Sequence, residues 1–100
     1  MKFYKHQAEM IIVQQLSSLL NRKVKNEELV PETYFLHKDE MIQVPTIDEK
    51  PLPQKVMAYF YGCESYIGFL ITDLQQQKLL AWGILDSNNQ LVRGRGGQNE

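Results

Sequence analysis

VMAYFYGCESYIGFLITDLQQQKLLAWGILDSNNQLV, residues 56–92, decides the fold. Three runs stand out in it: Val56 to Tyr61, Tyr66 to Thr72 and Leu79 to Leu85. Each is rich in β-branched, aromatic and long apolar residues, and short polar segments separate them, which is the pattern of an antiparallel meander. Leu91 and Val92 offer a fourth, edge strand. Apolar residues occupy both alternating sets: Val56, Ala58 and Phe60 against Met57, Tyr59 and Tyr61, then Ile67, Phe69 and Ile71 against Tyr66 and Leu70. A sheet that is apolar on both faces needs two covers.

Upstream, Gln7 to Leu20 places Ala8, Ile12, Leu16, Leu19 and Leu20 on one side of a helix, with Gln14, Gln15, Ser17 and Ser18 largely opposite. Asn21, Arg22 and Lys23 close it, since cations suit the negative end of the helix dipole. Its polar side is Gln and Ser rather than Lys and Arg, which suits a core cover better than a membrane-surface helix. Val30 to Leu36 reads as a short edge strand, because Pro31 cannot donate to a ladder and Thr33, Tyr34 and Phe35 favour extended backbone. Asp39 is expected to cap a brief helix through Ile42 that Pro45 stops, and Pro45, Pro51 and Pro53 make the next stretch a loop. The expected class is α+β: a small antiparallel sheet of about five strands with two helices, in the order helix, strand, helix, strand, strand, strand and the further edge strand. The second cover is then either the short helix or another molecule.

One hundred residues with 43% apolar content suit one domain, residues 1–92, followed by a flexible Gly-rich tail, 93–100. Apolar runs fall short of the roughly 18 residues that span a bilayer, and Met1-Lys-Phe-Tyr-Lys-His carries no apolar signal segment, so a cytoplasmic chain without a membrane partner is expected. Cys63 is the single cysteine, which excludes an internal disulfide and a thiolate-rich zinc site. The net charge of −1 hides an asymmetry. Residues 1–26 carry Lys2, Lys5, Arg22, Lys23 and Lys25 against Glu9, a balance of +4. Residues 27–64 carry Glu27, Glu28, Glu32, Asp39, Glu40, Asp48, Glu49 and Glu64 against Lys38, Lys50 and Lys55, a balance of −5. An acidic face of this kind steers a basic partner, although an ordinary solvated surface has the same composition.

Catalytic signatures are missing from the sequence. It has no Gly-rich phosphate loop, no metal-ligand spacing and no nucleophile elbow, so no enzyme, cofactor or metal is expected. His6, His37 and Cys63 are the residues able to support nucleophilic chemistry, and Glu32 with Glu40 or Asp73 is the carboxylate pairing open to acid and base work. Arg93 to Gly97 is one copy of an arginine-glycine pattern. With Lys2, Lys5, Arg22 and Lys23 it keeps a small nucleic-acid-binding domain open as an alternative. Trp82 reads as core or as a partner-facing anchor.

Taken together, Pro31-Glu32-Thr33-Tyr34, Asp39-Glu40-Met41-Ile42, Phe69-Leu70-Ile71-Thr72-Asp73 and Lys78-Leu-Leu-Ala-Trp-Gly-Ile-Leu-Asp-Ser-Asn88 resemble, in order and spacing, the uracil-DNA glycosylase inhibitors of phages and staphylococcal mobile elements. The first is similar to that family's Glu-Ser strand with Thr33 in place of serine. The second is similar to the start of its acidic helix, and the last to its final hairpin.

The resemblance implies a stoichiometric inhibitor that mimics DNA and forms a 1:1 complex with the glycosylase, binds no nucleic acid itself and is monomeric when free. Glu32 would mimic a phosphate beside the catalytic groove and Thr33 would hydrogen-bond the same loop of the enzyme. Glu40 and Asp73 would be flanking phosphate mimics. Leu36, Met41, Ile42, Met57, Phe69 and Ile71 would line a pocket for the enzyme's DNA-probing apolar loop. Another phage or mobile-element antagonist, or an immunity protein using the same acidic edge, is the alternative.

Overall fold

Alternation of apolar residues with period two builds most of this molecule. The computed structural model describes residues 2–40, 46–47 and 49–94. One helix, α1 (Lys5–Leu20), precedes five strands: β1 (Val30–His37), β2 (Lys55–Cys63), β3 (Tyr66–Thr72), β4 (Leu79–Leu85) and β5 (Leu91–Gly94). The strands form one antiparallel sheet in the order β1-β2-β3-β4-β5, so each strand lies beside its neighbour in sequence. β1 and β5 are its edges.

The class is α+β, but the expectation of two helices is corrected. Among the described residues there is one α-helix, and the segment opening at Asp39 forms instead a single 3-10 turn, Lys38–Glu40. Met41 and Ile42 lie outside the described residues. The reason is local: the Glu40 carboxylate accepts the His37 N–H at 2.8 Å, and the Asp39 N–H donates to His37 Nδ1. Asp39 therefore sits within a turn that closes directly on the end of β1, rather than capping a helix that leaves it. A second 3-10 turn, Asn26–Glu28, precedes β1.

Asn21 ends α1 in the left-handed conformation, with φ 54°. This suits asparagine, which tolerates that region better than most residues. α1 lies chiefly over β3 and β4. Its Ala8, Ile12 and Leu16 are buried in one cluster with Val24, Tyr59, Tyr61, Cys63, Leu70, Leu79 and Ile84. Gly68 permits that close approach, because a Cβ there would collide with the Ile12 side chain. Tyr61 is buried against the helix and its hydroxyl donates to Glu9 Oε2 at 2.7 Å, tying α1 to β2. Burial and the adjacent Glu9 carboxylate both push the Tyr61 phenol above its ordinary range.

The opposite face is covered as well. Val56, Ala58, Phe69, Ile71, Ala81 and Leu85 form a second cluster, against which Leu36, Leu52, Phe60, Leu80 and Leu91 pack. Leu52 comes from the proline-rich connection, so that stretch supplies part of the second cover. Trp82 is half-buried beside the helix-side cluster. No helix of the described residues is long and apolar enough to cross a membrane. Residues 93 and 94 of the expected tail belong to β5, and residues 95–100 lie outside the described set.

Candidate functional site

β1 carries the most exposed large apolar side chains of the sheet. α1 packs chiefly on β3 and β4, and on β1 Val30, Tyr34 and Phe35 are 64%, 45% and 59% exposed. The register with β2 sets the faces: Glu32 pairs with Phe60, Tyr34 with Ala58 and Leu36 with Val56. Cross-strand partners share a face, so Glu32, Tyr34 and Leu36 stand on the side away from α1. Thr33 pairs with Tyr59 and Phe35 with Met57, which puts these residues on the α1 side. Tyr34 stacks edge-on against Phe60 with ring centroids 5.7 Å apart, and its hydroxyl donates to Glu32 Oε1 at 2.7 Å. That bond holds the carboxylate over the strand and raises the Tyr34 phenol above its usual range. On the α1 side, the Lys55 ammonium sits 6.0 Å from the centre of the Phe35 ring.

The outer side of β1 follows from parity. In an antiparallel ladder a residue turns both its N–H and its C=O to the same side, and neighbours alternate. Lys38 N–H donates to the Gln54 carbonyl, toward β2, whereas the His37 N–H is taken by Glu40. Pro31, Thr33, Phe35 and His37 thus face away from β2. Proline has no N–H and that of His37 is capped, leaving the Thr33 and Phe35 amides as the outward donors. Among the described residues none pairs with them.

Of the expected site residues, Glu32, Thr33 and Glu40 lie on this strand or at its end and are exposed. Glu32 and Thr33 nevertheless send their side chains to opposite faces. One oxygen of Glu40 is committed to the His37 amide. Asp73 lies just past β3, where Thr72 pairs with Met57 and Met57 with Phe35, so it shares the sheet end that carries Leu36 and Glu40. Its Oδ1 accepts the Gln77 and Lys78 amides at 2.8 and 3.1 Å and shapes the β3–β4 turn. Leu36, Phe69 and Ile71 come together in the second cluster, while Met57 packs on the α1 side. Phe69 and Ile71 are already buried there. Met41 and Ile42 fall outside the described residues.

Features not evident in the sequence complete the picture. Arg22 bonds Glu28 at 2.8 Å and also Glu64, fastening the end of α1 to the turn before β1 and to the β2–β3 turn. Both carboxylates hold the guanidinium charged, and Arg22 in turn lowers the Glu28 carboxyl below its ordinary range. These acids of the −5 segment therefore serve the fold, and Glu32, Asp39 and Glu40 remain along β1. The backbones of Lys2 and Lys78 form an isolated antiparallel bridge just before β4, and Lys5 lies over the Tyr59 ring on β2, the strand next to β1. Cys63 and His37 are at opposite ends of the β1–β2 ladder, roughly 25 Å apart along the strands. Burial raises the Cys63 thiol above its usual value, which disfavours the nucleophilic thiolate. Among the described residues no group of three His, Cys, Asp or Glu is placed to hold a metal ion.

Comparison with protein-family models, with curated proteins and with solved structures finds no match.

Proposed function

We propose that the chain is a stoichiometric protein inhibitor of uracil-DNA glycosylase, acting in the cytoplasm as a phage or mobile-element antagonist of uracil repair. The observation that supports this most is the β1 edge. It presents Glu32 at its centre and Asp39 and Glu40 at its end, beside exposed Tyr34 and Phe35. A groove built for phosphates offers cationic side chains and backbone amides, and a carboxylate uses the same donors through charge-assisted hydrogen bonds. Tyr34 pre-orients Glu32 for that role, which lowers the ordering cost of binding. Leu36 and Phe60, half-buried at the β1–β2 border, form the rim of the apolar contact for the enzyme's DNA-probing loop. Phe69 and Ile71 are its floor. Met57 faces α1 and is left out. Asp73, committed to its own turn, acts as a secondary charge at the same end of the sheet.

The reading is tested by uracil excision with purified glycosylase, comparing the native chain with Glu32→Ala. The native chain should abolish excision, and Glu32→Ala should weaken inhibition about 30-fold or more, as loss of one partner of a desolvated charge pair does. Undiminished excision at excess chain would leave the edge to some other basic partner and overturn the glycosylase reading. Equal potency of the two proteins would overturn the assignment of Glu32. A mobility-shift assay with the chain alone should show no salt-sensitive DNA binding.

A further inference from the structure

The outward hydrogen-bonding groups of β1 are arranged symmetrically about Tyr34. Thr33 and Phe35 flank it with one outward N–H and one outward C=O each. Beyond them the donors run out on both sides at the same distance: Pro31 has none, and the His37 amide is held by Glu40. We infer that this edge pairs with the β1 edge of a second copy of the chain, antiparallel and centred on Tyr34, to form a weak two-fold dimer with one continuous sheet.

The register is chosen by the groups themselves. With Tyr34 opposite Tyr34 of the other copy, Thr33 faces Phe35 in both directions, and every outward N–H and C=O of the two residues is paired. Pro31 then faces His37, so the two positions without a donor coincide and the ladder ends where neither strand can extend it. Centring on Thr33 sets Phe35 against Pro31 and orphans the Phe35 carbonyl. Centring on Phe35 sets Thr33 against the capped His37 and orphans the Thr33 carbonyl. The side chains agree with the central register. The two Tyr34 rings meet on the face away from α1, and each exposed Phe35 lies beside a Thr33 on the other face. An edge strand this long, with exposed Val30, Tyr34 and Phe35, is the kind that soluble proteins cover or pair.

The ladder is short, four backbone hydrogen bonds between Thr33 and Phe35 of the two copies, which keeps the dimer weak. In this register the like carboxylates stay apart, the Glu32 twins about 13 Å from one another and the Asp39 and Glu40 twins at opposite ends of the ladder, and each copy also carries Lys38 at the end of β1. Salt therefore has little effect on the dimer, whereas a complex with a basic partner weakens as salt rises. The expected monomer holds at low concentration, and because the proposed glycosylase contact uses the same β1 edge, dimer and complex exclude one another.

Sedimentation equilibrium of the full chain tests this without any glycosylase present. The mean mass should rise from monomer toward dimer as concentration reaches roughly the millimolar range, and raising salt from about 50 mM to about 500 mM should not dissociate the dimer. Thr33→Pro removes one outward amide per copy without touching the β1–β2 ladder, and should weaken the dimer about tenfold or more. In a Cys63→Ala background, Tyr34→Cys should cross-link rapidly under mild oxidant, since a directly opposed pair of this kind places the Cα atoms about 4.5 Å apart. Glu32→Cys should not, its twin lying about 13 Å away. A chain that stays monomeric at every concentration and salt would overturn the inference. So would a dimer that ignores Thr33→Pro or cross-links at Glu32→Cys and not at Tyr34→Cys.

Discussion

On the α1 side of the sheet, Ile12, Leu16, Leu70 and Ile84 are fully buried, and the buried Tyr61 hydroxyl has its partner in Glu9. Two strands away, β1 leaves Val30, Tyr34 and Phe35 open to solvent and its outer amides unpaired among the described residues. Both regions belong to one ladder and are rich in apolar residues. They differ in cover: α1 packs chiefly on β3 and β4, and the large side chains of β1 stay exposed. The difference separates the part of the sequence that makes the fold stable from the part left available for binding.

The contrast is sharpened most by substitutions that should be severe on one side and silent on the other. Ile12→Ala removes a fully buried side chain packed against Gly68 and should cost about 2–4 kcal/mol in denaturant unfolding. Tyr61→Phe deletes the bond to Glu9 and should cost about 1 kcal/mol. Phe35→Ala, on the open edge, should change stability by less than about 0.5 kcal/mol. If Phe35→Ala were as damaging as Ile12→Ala, β1 would be part of the core and the contrast would fail.

The smallest effect concerns the clamp that joins the two regions. Glu28 is held below its ordinary carboxyl range by Arg22, so its contribution is present above the unfolded value and is lost as pH falls through the lower, folded one. Thermal midpoints of native protein and Glu28→Gln should therefore differ near neutrality and converge in acid, below about pH 4. Parallel curves at all pH values would remove the clamp from the account.

The meander was legible because its strands carry unbroken apolar and aromatic runs between polar turns. β3 and β4 occupy Tyr66–Thr72 and Leu79–Leu85, the limits read from sequence. α1 begins at Lys5 rather than Gln7, since its polar first residues add no periodic signal. The expected short helix gives way to a 3-10 turn because the Glu40 carboxylate takes the His37 amide, a bond that a capping residue at Asp39 does not signal. Register was the harder loss. Placing Met57 beside Phe69 and Ile71 requires knowing which alternating set of each strand faces α1, and no local pattern carries that when both sets are apolar. The Arg22–Glu64 contact, 42 residues apart in sequence, has no local signature. The acidic edge was readable from charge, whereas the exposure of Tyr34 and Phe35 depends on where α1 lies.

Titration of a fixed amount of uracil-DNA glycosylase with the chain, reading residual uracil excision, tests the central claim most directly. Activity should fall linearly and vanish at one equivalent of chain, while excision that stays complete at large molar excess would contradict the account.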